Sequence, residues 1–151
     1  MGQFKGTPEC ILILDDSSGC REAWELLCTE LWPSVLCYQA ETVSEALNWL
    51  GLDTVIDLVL SDLSIPGSPP RQTVESLVEA CPLHVPIVLL SGSVVALEGY
   101  EMLRLGADSF CLKGSDINVI SQCLYRTWVR SIGRRRRIAK AVPLISHVME
   151  G

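Results

Sequence analysis

The sequence predicts a doubly wound α/β domain: a parallel sheet with helices on both faces. Two observations carry that prediction. Five short apolar runs lack the polar alternation of a half-exposed strand, so each reads as a strand buried on both sides. Segments with apolar residues at helical spacing separate them in regular alternation, the pattern of β-α-β units.

The elements follow in order. Cys10–Leu14 (CILIL), bounded by Pro8 and Asp15-Asp16, is the first strand. A helix over roughly 18–31 carries Ala23, Leu27 and Leu31 on one face, and Pro33 stops it. Residues 35–39 form a second strand. Thr42 and Glu45 have the spacing of a capping box, opening a helix with Val43, Ala46, Leu47 and Leu50 on one face. Residues 56–61 make the third strand, ending at Asp62, and SIPGSPP (64–70) can only be loop. The third helix carries Val74, Leu77, Val78 and Cys81 at spacings of three and four. VPIVLL (85–90) is the fourth strand, broken by Ser91-Gly92-Ser93, and a helix then runs to about Leu105, where Gly106 ends it. Ser109–Leu112 is a short fifth strand. Ser115 is the expected N-cap of a last helix from Asp116 to about Ser131 or beyond.

Composition narrows the class. The chain has 151 residues, 48% hydrophobic and 20% charged, which excludes disorder and gives room for one domain and a tail. The opening MGQFKGTPEC lacks the basic and apolar regions of a secretion signal, and no apolar run approaches the length of a membrane span. Seven cysteines, an odd number without CxxC spacing, fit neither a disulfide framework nor a zinc site. They suit a reducing cytosol, so a cytoplasmic protein is expected. Charge is uneven. Residues 1–125 hold 5 Lys/Arg against 17 Asp/Glu, a net −12, whereas residues 126–151 hold 7 against 1, a net +6. Bulk charge therefore bars nucleic acid from the first part and permits it only at the tail.

Ligands of such a sheet bind at the carboxyl ends of its strands. Asp15 and Asp16 follow the first strand, Asp62 the third, Ser91 the fourth and Lys113 the fifth. Singly, each is an ordinary turn or end-of-strand residue. Together they are a chemistry. Converging carboxylates repel one another and call for a compensating cation. Mg²⁺ on hard oxygen ligands supplies it where phosphate is handled. A lysine adds a point charge and a hydroxyl a hydrogen bond, meeting the needs of phosphoryl transfer, and a carboxylate can itself accept the group.

ILILDDS (11–17), LVLSDLSIPG (58–67), VPIVLLSG (85–92) and GADSFCLKG (106–114) resemble, in order and spacing, the signature segments of response-regulator receiver domains. The resemblance covers roughly 9–131. It implies a flavodoxin-like fold with five strands in the order 2-1-3-4-5 and five helices. It implies a two-component signalling phosphoprotein in which Asp62 accepts a phosphoryl group from a partner histidine kinase or phosphotransfer protein. Asp15, Asp16, Asp62 and the backbone carbonyl of Ser64 would hold Mg²⁺. Lys113 would pair with the carboxylate and then the phosphate, Ser91 would bond a phosphoryl oxygen, and Phe110 would be the aromatic that turns inward. The face around the fourth helix, fifth strand and fifth helix would switch to control an output domain or partner. Gly114 stands where proline commonly follows the lysine, so the family's cis peptide is not expected there. Phe110 stands where tyrosine is common, which removes a surface hydroxyl. No acidic, hydroxyl or lysine group of the set is lost, so an active receiver is expected.

Residues 132–151 are expected to be a basic tail or linker beyond the receiver domain at 9–131. Arg134–Arg137, with Arg126, Arg130 and Lys140, read as a solvated helical extension, with nucleic-acid or membrane-surface contact as the sharper reading. Ile117, Ile120, Leu124, Trp128 and Ile132 recur every three to four residues, and Ile138, Val142, Ile145 and Val148 continue loosely, with Pro143 expected to interrupt or kink the helix. Such a helix could pair with a second copy as a homodimer or lead to an output module outside this chain. The competing function is a Mg²⁺-dependent phosphatase or phosphotransferase with an aspartyl nucleophile. Its acids commonly share one loop beneath a cap, whereas here they are split between two strands and no insertion is long enough for a cap. A flavin-binding protein would need a phosphate-cradling loop after the first strand, where Asp15 and Asp16 repel phosphate.

Overall fold

A computed structural model describes residues 6–52, 55–92 and 96–150, and the side chains among these except those of 96–97 and 141–150. The chain runs β1 (Cys10–Leu14), α1 (Ser18–Leu31), β2 (Leu36–Ala40), α2 (Val43–Gly51), β3 (Leu58–Asp62), α3 (Pro70–Ala80), β4 (Ile87–Ser91), α4 (Ala96–Arg104), β5 (Ser109–Leu112) and α5 (Ile117–Glu150). All neighbouring strands pair in parallel, in the order β2-β1-β3-β4-β5. This is the expected flavodoxin-like sheet.

Strand alternation divides the core in two. Leu12, Leu14, Val59, Ile87 and Leu89 point to one face, where they pack with Ala46 of α2, Val74 and Leu77 of α3 and Met102 of α4. Ile11, Ile13, Leu58, Leu60, Val88 and Leu90 point to the other, against Trp24, Leu27 and Cys28 of α1 and Ile120, Leu124 and Trp128 of α5. With both faces covered, the central strands carry no polar alternation, which is why their sequences read as unbroken apolar runs. Among the described residues no helix is long and apolar enough to cross a membrane.

Several local expectations are corrected. The buried face of α1 is Trp24, Leu27 and Cys28, with Ala23 exposed; four-residue spacing alone does not fix the rotation of a helix, and the tryptophan has more surface to bury. At α2, Thr42 Oγ1 accepts the Glu45 amide at 3.1 Å, but the Glu45 carboxylate reaches the amide of Glu41 at 2.9 Å, one residue before the cap. The cap of α5 is Asp116 rather than Ser115: its Oδ1 accepts the Asn118 amide at 2.8 Å. β3 and β4 each start two residues later than the apolar runs do. Pro86 has no amide to give a ladder, and only its carbonyl joins, accepting from Val59 at 2.9 Å. Gly106 ends the α4 segment as expected. Its φ of 122° suits glycine, and a Cβ there would lie 3.0 Å from Val78 Cγ1.

The last helix is the main departure. It runs unbroken through Pro143 to Glu150, so the proline does not end it. The side chains of Val142, Ile145 and Val148 lie outside those described. Arg134 and Arg135 are folded against the body: Arg134 Nη1 lies 2.6 Å from Asp108 Oδ1, and Arg135 Nη2 lies 3.6 Å from Asp57 Oδ1.

Candidate functional site

The chain turns from β1 to β2 on one side and reaches β3 on the other, so the sheet's direction of growth reverses between β1 and β3. A crevice opens at the carboxyl ends of these two strands. Their register pairs Leu14 with Ser61, so the next residues, Asp15 and Asp62, face each other across it. Both are buried, Asp15 completely and Asp62 to 4% exposure, while Asp16 is exposed. One carboxylate oxygen from each of Asp15, Asp16 and Asp62 lies within 4.8 Å of the others.

Lys113 bridges the buried pair. It leaves the end of β5, and its Nζ lies 2.8 Å from Asp15 Oδ2 and 3.0 Å from Asp62 Oδ2. Its backbone amide donates to the carbonyl of Ser91 at 2.8 Å, tying the ends of β4 and β5 together. Burial pushes the Asp62 carboxyl above its ordinary range, with Asp15 adding to the rise; hydrogen bonds from Lys113 and the Ser64 amide work the other way. Burial by itself would lower Lys113, but Asp15 and Asp62 outweigh it and hold the ammonium above its usual value. Three carboxylates against one ammonium leave the cleft strongly negative. A hard divalent cation fits such a set of clustered carboxylate oxygens better than any softer metal does.

The other expected residues fall around this centre. Ser91 is buried at the end of β4, one residue beyond Leu90, the register partner of Asp62. Ser64 follows in the β3–α3 loop, where its amide donates to Asp62 Oδ1 at 3.2 Å. Phe110 is not at the cluster. It sits mid-strand in β5, half-buried, with its ring against Gly99 of α4, where a Cβ would come within 3.2 Å of Phe110 Cδ1. No cis peptide occurs among the described residues, in keeping with Gly114 after the lysine.

Sequence reading missed the residues that fix Asp15. Trp24 Nε1 donates to Asp15 Oδ2 at 3.3 Å, Arg21 Nη1 donates to the Asp15 carbonyl at 2.7 Å, and the Ser17 amide donates to Oδ1 at 2.9 Å. The available signal was the spacing of Arg21 and Trp24, three residues apart in the first turns of a helix that starts just after the acids. It also missed two acids at the opposite, amino edge of the sheet. Asp57 just before β3 and Asp108 just before β5 receive Arg135 and Arg134.

Comparison with known proteins follows the same lines. A CheY-like receiver domain protein from Methanospirillum hungatei JF-1 superposes with a TM-score of 0.72 at 17% identity, covering 83% of this chain and 98% of its own. The non-phosphorylated HemR receiver domain from Leptospira biflexa gives a TM-score of 0.68 at 26% identity, covering 80% and 94%. NtrX from Brucella abortus gives 0.75 at 20% identity, covering 89% of this chain but 29% of that longer one. A comparison with curated proteins gave no match. Residues 11–125 match the family model described as the response regulator receiver domain. A match over that much of the chain, on this sheet order, decides its kinship: the protein belongs to the response regulator receiver domain family.

Proposed function

We propose that this receiver domain of a two-component system accepts a phosphoryl group on Asp62 from a phosphohistidine of a partner histidine kinase or phosphotransfer protein. The observation that carries the reading is the position of Asp62: buried, across from Asp15, and 3.0 Å from the Lys113 ammonium. A carboxylate oxygen of Asp62 attacks phosphorus. The P–N bond to the donor imidazole breaks, and the imidazole nitrogen leaves with the electron pair and takes up a proton. The product is an acyl phosphate on Asp62.

Asp15, Asp16, Asp62 and the carbonyl of Ser64 would hold Mg²⁺, which when bound neutralises charge on the phosphoryl oxygens. Lys113 turns from the Asp62 carboxylate to the new phosphate. The Ser91 hydroxyl donates to a phosphoryl oxygen as β4 shifts toward it. Trp24, Arg21 and the Ser17 amide keep Asp15 in place throughout. The added charge, close to −2, and three acceptor oxygens drive the response. Phe110 turns, loosening its contact with Gly99 and moving α4, β5 and the start of α5. Each chain is labelled once and is not a catalyst of turnover. Residues 9–131 act as the receiver, and 132–151 lead to an output domain or partner.

The test is incubation with acetyl phosphate and Mg²⁺, followed by intact mass. One phosphoryl group is expected on the wild type and none on Asp62→Asn. Labelling that persists in Asp62→Asn overturns the assignment. For the switch, beryllofluoride with Mg²⁺ should shift the Phe110 and Gly99 resonances; unchanged resonances there would remove Phe110 from the mechanism.

A further inference from the structure

At the edge of the sheet opposite Asp62, the basic run forms something more definite than a solvated tail. Asp108, Thr127, Arg130, Ser131, Arg134 and Arg137 line a pocket of about 290 Å³ between the amino end of β5 and α5. Its walls hold three guanidinium groups and one carboxylate. Each oxygen of that carboxylate has a partner: Asp108 Oδ1 takes Arg134 Nη1 at 2.6 Å and Oδ2 takes the Ile87 amide at 2.8 Å. The two hydroxyls direct their protons inward, Thr127 to the Cys123 carbonyl at 2.7 Å and Ser131 to the Trp128 carbonyl at 2.6 Å. What remains for a ligand is positive charge and N–H groups. Among the described residues, Arg134 Nε and Nη2 are buried with no hydrogen-bond partner. These two nitrogens form one edge of the guanidinium fork, the edge that matches two oxygens of a phosphate. Arg130 and Arg137 flank the opening as exposed side chains, with Arg130 Nη2 donating to Ser109 Oγ at 3.0 Å and its other N–H groups left for a ligand. Arg137 folds back along α5, its Nη1 at 3.7 Å from where a Cβ of Gly133 would stand.

We propose that this pocket is a second site that binds a small phosphate-bearing anion between Arg130, Arg134 and Arg137. The three guanidiniums repel one another as the carboxylates do at the other edge, and a multiply charged oxyanion removes that repulsion. An anion entering between Arg130 and Arg137 meets the unused edge of Arg134 as those two exposed side chains turn. A recess of this volume, with Arg134 at its base, favours a discrete anion over a polymer lying along the helix. Arg134 also holds Asp108, which precedes β5, so occupation bears on the strand that leads to Lys113.

The test is titration of the full chain with inorganic pyrophosphate in Mg²⁺-free buffer at fixed ionic strength, followed by amide resonances. Leaving out Mg²⁺ keeps the anion from the acidic cleft. Saturable one-to-one binding is expected, with shifts at Asp108 and around Arg134. Arg130→Gln combined with Arg137→Gln should weaken it about tenfold or more, while acetyl phosphate still labels Asp62. Arg126→Gln combined with Lys140→Gln, which removes the same two charges from α5 outside the pocket, should leave affinity unchanged. Equal weakening by that control pair overturns the proposal, as does binding that never saturates. Separate arms use vesicles containing a phosphoinositide and a single-stranded oligonucleotide. If pyrophosphate competes the vesicles off, the anion can be a lipid headgroup in the same pocket. If vesicles or oligonucleotide bind and pyrophosphate does not, the site is a surface for polyanions and the proposal fails.

Discussion

Lys113 and Asp62 act on stability in opposite directions, because two buried acids share one ammonium. Removing the Lys113 cation by Lys113→Ala leaves Asp15 and Asp62 facing each other in a buried cleft. A loss of about 2 kcal/mol is expected, below the range for fully buried pairs because the lysine is partly exposed. Asp62→Asn removes one of the repelling charges and keeps the shape. Since burial already holds the Asp62 carboxyl above its ordinary range, its ionised form opposes folding at neutral pH. The variant should gain about 1 kcal/mol in Mg²⁺-free buffer. Urea midpoints of the two variants decide this, and a shift in the same direction for both would show that the cluster's repulsion is not what burial implies. Asp15, Asp16, Asp62, Ser91 and Lys113 were legible in the sequence because each ends a recognisable strand, and in a parallel sheet strand ends converge. Trp24 and Arg21 were not, because their role depends on the rotation of α1, and apolar spacing left that one position out.

The last helix shows the same limit at the scale of an element. Its apolar periodicity was readable, and Ile120, Leu124 and Trp128 are buried against the sheet as that period requires. Where a run of arginines belongs cannot be read from periodicity, because their partners lie far away in sequence. Asp57 is fully buried and accepts the Glu9 and Cys10 amides at 2.7 and 3.1 Å. Arg135 covers it, with its guanidinium 4.8 Å from the Trp128 ring centroid. Arg134 pairs with Asp108 two strands further along the sheet. The two acids satisfy strand amides at the amino edge, and the helix brings the charges that make their burial tolerable. Ending the chain at Ile132 strips both arginines and should lower stability by about 3 kcal/mol. Arg137→Gln, at an exposed position, should stay within about 0.5 kcal/mol of wild type. If the truncated chain unfolds at the same urea concentration as the full one, the arginines do not clamp the edge.

Over the whole molecule, sequence and structure agree on architecture because the sheet is covered on both faces. Every central strand then has to be apolar throughout, and every crossover has to be an amphipathic helix, so little freedom is left in the reading. The same geometry sorts charge by edge. Carboxylates crowd the carboxyl ends of β1 and β3, while arginines of α5 gather at the amino ends of β3 and β5. A molecule arranged this way should respond to a divalent cation through the acidic edge as a whole, since a ligand held by the folded state alone stabilises it by mass action. For a dissociation constant on the order of 1 mM, 10 mM MgCl₂ should add about 1.4 kcal/mol. The gain should shrink markedly in Asp16→Asn, whose exposed carboxylate joins the cluster without being part of the buried ion pairs. NaCl at matched ionic strength separates binding from screening. It should reproduce little of the effect in wild type, since Asp15 and Asp62 are shielded from mobile ions. Equal stabilisation by NaCl and MgCl₂, or an undiminished Mg²⁺ response in Asp16→Asn, would mean that the three carboxylates do not act as one cation site.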